Sequence, residues 1–203
     1  MMPKLGLTLY LAFLAVAFGW RTWLQYRRTG DHGFRGLARP VASVAWYGGV
    51  ALVIGVSSAV LAPLAELAGL VEPWPALEGT WAHLVGMLTA LTGIALTVLA
   101  QLQMGKAWRI GVDPEERTAL VTDGLFRYVR NPIFLGMLLS MAGLLLLVPN
   151  PISLGALVLS LIGIEIQVRK VEEPYLIRIH GERYVTYARH VGRFVPGFGR
   201  FYR

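Results

Sequence analysis

The sequence predicts an all-α integral membrane protein with about five transmembrane helices, and three observations carry that prediction. Of the 203 residues, 55% are hydrophobic and only 15% are charged, whereas soluble domains carry about 25% charged residues. The apolar residues stand in long blocks and not in periodic stripes, which makes a bilayer the solvent. The basic residues flank those blocks without forming one soluble patch. The net charge of +7 therefore points to anionic membrane lipids and not to nucleic acid.

Crossing the hydrocarbon takes about 20 apolar residues of helix. The candidates are Leu5 to Trp20, Val41 to Ala62 and Trp81 to Gln101. Two shorter runs follow, Pro132 to Val148 and Ile152 to Val168. Pro149-Asn150-Pro151 breaks the helix between them and predicts a tight helical hairpin of spans four and five. Lys4 is the only early charge and no small-residue cleavage site follows, so the first run reads as a span and not as a signal peptide. Gly48, Gly49, Gly55, Gly86 and Gly93 predict close helix packing. Trp20, Trp23, Trp46, Trp74, Trp81 and Trp108 mostly lie near span ends, where an amphipathic ring suits the interface.

Lys and Arg set the orientation. Arg21, Arg27, Arg28, Arg35 and Arg39 follow the first span, and Lys106, Arg109, Arg117, Arg127 and Arg130 follow the third. The tail holds Arg169, Lys170, Arg178, Arg183, Arg189, Arg193, Arg200 and Arg203. These are 18 of the 19 basic residues, whereas the loop after span two carries Glu66, Glu72 and Glu78 with no base. The N-terminus is predicted outside the cell membrane, and the C-terminal helical segment in the cytoplasm. Residues 1–203 read as one membrane domain, with three spans in 1–102 and the chemistry in 103–203. The chain has no cysteine, which removes disulfides, thiolate metal sites and cysteine nucleophiles. No other set of residues reads as a metal site.

Two basic segments, 103–130 and the tail from Arg169, are longer than ordinary connectors. In the first, Asn131 suits an N-cap and Pro132 a first helical residue, and capping alone explains that pair. The same helix start offers free N–H groups and a positive dipole end beside Arg127 and Arg130, which attracts a carboxylate or phosphate. In the second, Glu165, Arg169, Glu172 and Glu173 fall on one face if span five continues as helix. Glu165 lies inside an apolar run and needs a partner or a function there. Arg169 is its natural partner, and a helix-end salt bridge is the alternative to a site.

The run Leu120-Val121-Thr122-Asp123-Gly124-Leu125-Phe126, then Arg130-Asn131-Pro132-Ile133-Phe134-Leu135-Gly136, is followed by Glu172-Glu173 with Leu176 and by Gly181, Tyr184 and Tyr187. In order and spacing these residues resemble the isoprenylcysteine carboxyl methyltransferase family and, more loosely, phospholipid N-methyltransferases. The resemblance covers about 101–196. It implies a membrane enzyme that transfers a methyl group from S-adenosylmethionine to a lipophilic or prenylated acceptor from the inner leaflet, most simply a carboxylate. It places the cofactor on Thr118, Ala119, Leu120, Val121, Gly124, Phe126, Arg130, Asn131, Pro132, Ile133, Phe134 and Glu172. It makes Arg169, Glu173 and Glu165 catalytic. Arg169 would orient an acidic acceptor, and Glu173 or Glu165 would take a proton from an amine or thiol. The family often carries His at the place of Asn131 and Tyr at those of Phe126 and Phe134, which shifts the expected contacts to backbone N–H groups and ring faces. Val168 stands where prenylcysteine enzymes use Arg, and Arg169 with Glu173 restores the spacing one residue later. The rival readings are an NADPH-dependent reductase related to sterol reductases and a non-enzymatic membrane scaffold.

Overall fold

The computed structural model describes residues 1–35, 42–112 and 116–201; Arg39, Val41 and Arg203, used above, lie outside the described residues. Helices form along each apolar block. α1 (Met2–Thr29), α2 (Val44–Leu67), α3 (Thr80–Ala107) and α5 (Pro151–His180) are each long and apolar enough to cross a membrane, and α4 (Pro132–Leu147) is a shorter apolar helix. A surface helix, α6 (Glu182–His190), follows. Among the described residues there is no β-strand, only the isolated bridges Phe34–Ile110 and Val129–Gly192. The chain is a multi-pass, all-helical membrane protein, and its outward faces present leucine and valine, among them Leu88, Leu91, Leu99, Val158 and Leu161.

Two helices outrun the apolar blocks that start them. No glycine or proline interrupts Arg21–Thr29, so α1 continues until Gly30, whose φ of 73° ends it with a left-handed cap. α5 likewise runs on to His180. Each contains a wide π turn, Ala15–Trp20 in α1 and Val168–Glu172 in α5. Such a turn adds a residue to the hydrogen-bonded ring and rotates everything after it. The common face expected for Glu165, Arg169, Glu172 and Glu173 is therefore broken in the structure.

Lipid is as apolar as leucine, so helices inside it associate through close contact and dispersion. The glycines supply that contact. α3 packs along α4 and α2 along α5. A Cβ on Gly93 would lie 2.6 Å from the Gly136 carbonyl oxygen, and one on Gly143 would lie 2.6 Å from that of Gly86. Across the other pair, a Cβ on Gly163 would lie 2.5 Å from the Leu52 nitrogen. The Pro-Asn-Pro break makes the expected hairpin. Asn150 is fully buried, and its Oδ1 accepts from the Ile152 and Ser153 backbone N–H groups, each at 3.1 Å. Its Nδ2 donates to the Ala62 carbonyl at 3.2 Å and to Glu66 Oε2 at 3.3 Å, which ties the hairpin to the end of α2.

Up-and-down alternation brings the C-terminal ends of α1, α3 and α5 and the N-terminal ends of α2 and α4 to one end of the bundle, the basic end. Gly143→Val should separate α3 from α4 and cost about 1–3 kcal/mol by overpacking. The check is the melting temperature in detergent, with the exposed Gly155→Val as the control that should change it little.

Candidate active site

A cavity of about 510 Å³ runs from the basic end into the bundle, within the roughly 300–1,000 Å³ that small-molecule sites occupy. Its inner arm is apolar, walled by Leu14, Ala17 and Phe18 of α1, Gly49, Leu52 and Val56 of α2, and Met137 of α4. Gly49 also lines the cavity. Above the arm, the Tyr10 hydroxyl donates to the Val56 carbonyl at 2.8 Å and joins α1 to α2. Trp108 forms part of the wall and is itself backed by Arg21. The sequence reads Arg21 as a surface charge, but it is fully buried and donates to the Gly105 carbonyl at 2.6 Å.

The other end of the cavity is polar and is closed by two clamps. In the first, the tail folds back on the start of α4. Arg130 Nη2 donates to Glu173 Oε1 at 2.7 Å, and Arg193 donates to both oxygens of the same carboxylate, Nε to Oε1 at 2.8 Å and Nη2 to Oε2 at 3.0 Å. Arg130 also donates to the carbonyls of Ala188, Val191 and Gly199. The Arg193 carbonyl accepts from both the backbone N–H and the Nδ2 of Asn131, each at 3.1 Å. Asn131 opens α4 with no side-chain cap bond; its amide is committed to the tail instead of the helix. Tyr187 donates to the Phe126 carbonyl. Burial pushes the Tyr187 phenol up to about 12 and raises Tyr184 as well, so both stay protonated at neutral pH.

The second clamp joins the loop after α1 to the loop after α3. Arg35 N–H donates to the Ile110 carbonyl at 2.9 Å, and Ile110 N–H to the Gly33 carbonyl at 2.7 Å. Arg35 Nε reaches Glu116 Oε2 at 2.7 Å, Arg109 pairs with the same carboxylate, and Arg35 also pairs with Asp31. The Tyr175 hydroxyl donates to the Glu116 carbonyl at 2.6 Å and so links this clamp to α5. The Arg35 hydrogen bond is the largest cause holding both carboxyls below their ordinary range, Asp31 at about 2.

The cavity wall gathers most of the residues that the sequence singles out. Thr118, Ala119, Leu120, Val121, Phe126, Arg130, Asn131, Pro132, Ile133, Phe134, Glu172 and Glu173 all line it. Three do not. Gly124 has φ of +60° and sits against the side chain of Gln103, where a Cβ would meet Oε1 at 2.5 Å. Arg169 and Glu165 pair with each other, 54% and 34% exposed, outside the cavity. The π turn between Val168 and Glu172 is the reason, since it turns Glu172 and Glu173 inward and leaves Arg169 behind. Glu173, expected as a proton acceptor beside Arg169, has three of its four lone-pair directions occupied by arginine N–H groups. The sequence reading misses Tyr175, Tyr184, Tyr187, Gln167 and the walls from α1 and α2. The Gly-x-x-Tyr-x-x-Tyr spacing signals two of the tyrosines; nothing local signals the rest.

Fold and site together define a multispan membrane protein whose internal cavity has one polar and one apolar end. Residues 81–183, just over half the chain, match the family model for phospholipid methyltransferases, and the chain belongs to that family. It is similar to protein-S-isoprenylcysteine O-methyltransferase B of Arabidopsis thaliana, 28% identical over 138 residues, covering 67% of each chain. The A form from the same plant is 28% identical over 130 residues, covering 63% of each. The Xenopus laevis protein-S-isoprenylcysteine O-methyltransferase is 29% identical over 119 residues, 58% of this chain and 41% of its own. Among solved structures, the eukaryotic intramembrane Ras methyltransferase (isoprenylcysteine carboxyl methyltransferase) shares the fold, with a TM-score of 0.55 and 24% identity. That match covers 73% of this chain and 53% of the other, so the chain spans between about two fifths and two thirds of the length of these relatives.

Two outcomes follow from the clamps. Glu173→Ala strands two buried guanidinium groups and should cost about 3–5 kcal/mol, whereas Glu165→Ala breaks an exposed pair worth about 0.2–1 kcal/mol; thermal melts of the two variants measure the difference. Asp31 and Glu116 have lowered pKa values, so their contribution is complete above the ordinary carboxylate range near pH 4 and is lost as pH falls toward about 2. Protection factors against hydrogen exchange at residues 31–35 and 109–112, taken relative to the intrinsic rate at each pH, should fall across that window and stay constant above it.

Proposed function

We propose that this cavity transfers a methyl group from S-adenosylmethionine to the carboxylate of a prenylated cysteine acceptor on the cytoplasmic face. The observation that carries the reading is the continuity of one cavity. Its polar end is built from 118–134 and the tail, and its apolar arm lies between α1, α2 and α4. A water-soluble donor and a lipid-soluble acceptor then meet at a single point. The relatives' names supply the acceptor class, and the basic residues at one end of the bundle supply the orientation, with the N-terminus outside.

The residues present fit the donor. When bound, S-adenosylmethionine offers an electrophilic methyl on a sulfonium. The first-turn N–H groups of α4 at Ile133 and Phe134 have no intrahelical partners and favour a carboxylate, whereas Pro132 has no N–H and that of Asn131 is taken by the Arg193 carbonyl. Glu172 is assigned to the donor's cationic part. Thr118 to Val121, outside any helix, run along the wall, and the Phe126 and Phe134 rings line it. The tail, held by Arg130 and Arg193 on Glu173, excludes water from the reacting atoms. Glu173 is therefore given a structural part, and so is the Glu165–Arg169 pair. A phospholipid amine is the second reading, because the family model is that of phospholipid methyltransferases.

S-adenosylhomocysteine should stabilise the purified protein, by about 2.7 kcal/mol at a hundredfold excess over its Kd, whereas NADPH should not. Glu172→Ala should abolish that shift while the apo protein still folds and melts cooperatively. A labelled methyl donor should mark S-farnesyl-N-acetylcysteine in preference to phosphatidylethanolamine, and a C-terminal reporter should be cytoplasmic. Stabilisation by NADPH alone would sink the proposal.

A further inference from the structure

Gln167 lies in α5 at the last residue before the π turn, lines the cavity and is only 7% exposed. Among the described residues none hydrogen-bonds its side-chain amide. Its amide opens onto the cavity with donor and acceptor both unused by the described residues, so a ligand seated there can bond it. Neighbouring polar groups along the wall are engaged through other atoms, although Gln101 Oε1, Arg109 Nη2 and Arg130 Nε have no partner among the described residues. Gln101 donates to the Ala17 carbonyl, Asn131 to the Arg193 carbonyl, and Arg130 to Glu173. Val168, the next residue, is fully buried, and Arg169 is turned outward onto Glu165.

We propose that the Gln167 amide holds the reacting carboxylate of the acceptor where the apolar arm meets the polar end, the part that the sequence gives to Arg169. This rests on the reading above, that the acceptor is a carboxylic acid carrying an apolar chain. One acceptor oxygen takes a hydrogen bond from Gln167 Nε2–H. The other attacks the methyl carbon, its lone pair forming the new C–O bond while the C–S bond breaks and its electron pair returns to sulfur. The products are a methyl ester and a neutral thioether, and no proton moves. A neutral amide suits this step. It fixes direction as one arm of a guanidinium would, yet it does not neutralise the charge that makes the oxygen nucleophilic.

The test uses the full chain in lipid nanodiscs, with S-farnesyl-N-acetylcysteine as the acidic probe and phosphatidylethanolamine as the amine probe. Gln167→Leu should raise the acceptor KM and lower kcat/KM about tenfold or more, with the KM for S-adenosylmethionine and the S-adenosylhomocysteine melting shift unchanged. Gln167→Glu should lose more than the leucine variant, because it sets a carboxylate against a carboxylate. Full turnover in the leucine variant overturns the proposal. So does a glutamate variant better than leucine on either probe, which would mean a cationic acceptor. A joint loss of turnover and melting shift would move Gln167 to the donor site and also overturns it. Wild-type protein that binds S-adenosylhomocysteine but methylates neither probe fails the functional reading itself, and the acceptor role falls with it.

Discussion

The buried carboxylate of Glu173 is the contact on which the rest of the site depends. It is held by Arg130 from the start of α4 and by Arg193 from the tail, and it sits where α5 emerges from its π turn. Three segments far apart in sequence therefore share one anion. Two guanidinium groups and one carboxylate leave an excess positive charge in a buried place, which survives because Arg130 also donates from Nη1 and Nη2 to the carbonyls of Ala188, Val191 and Gly199, with only its Nε left without a partner among the described residues. Those carbonyls belong to the end of α6 and the coil beyond it. Removing the carboxylate would release the tail, and with it the polar end of the cavity.

A second constraint comes from the bilayer. Apolar side chains gain nothing by leaving lipid for one another, so contact has to be made by backbones, and glycine allows it. α3 is bound so closely to α4, and α2 to α5, that α1 is left to close the bundle by lighter contacts. It touches α2 through Tyr10 and Val56 and diverges from it toward the basic end, where the apolar arm opens. The cavity is what remains between two tight pairs and a looser fifth helix.

The sequence shows this architecture to the extent that it is local. Block length places α1 to α5, Pro149-Asn150-Pro151 places the hairpin, and the motif from Leu120 to Gly136 places one wall. What it hides is rotation and distance. The π turn at Val168–Glu172 has no residue signature, yet it decides which of two neighbouring charged pairs faces inward. Reading the positions as one α-helical face put Arg169 with Glu173; one extra residue in the turn sends Arg169 to the surface and Glu173 into the core. Arg21 misleads for the same reason, since counting it with the loop charges takes no account of α1 continuing to Thr29 or of Trp108 arriving from α3 to cover it.

The division into three N-terminal spans and a C-terminal half that does the chemistry follows from where the motifs lie, and the cavity does not respect it. Motifs record residues whose identity matters at a single position. An apolar wall needs only volume and hydrophobicity, which Leu14, Phe18, Leu52 and Val56 provide without a pattern of their own. A site for two partners of opposite polarity has to sit where a helix bundle meets its loops, because only there can one chamber be wet at one end and oily at the other. Such a site draws its polar end from loops, where identity is constrained, and its apolar end from whichever helices stand beside them. Motif reading finds the first kind of residue and passes over the second, and α1 and α2 are recovered only when the helices are seen to surround the same space.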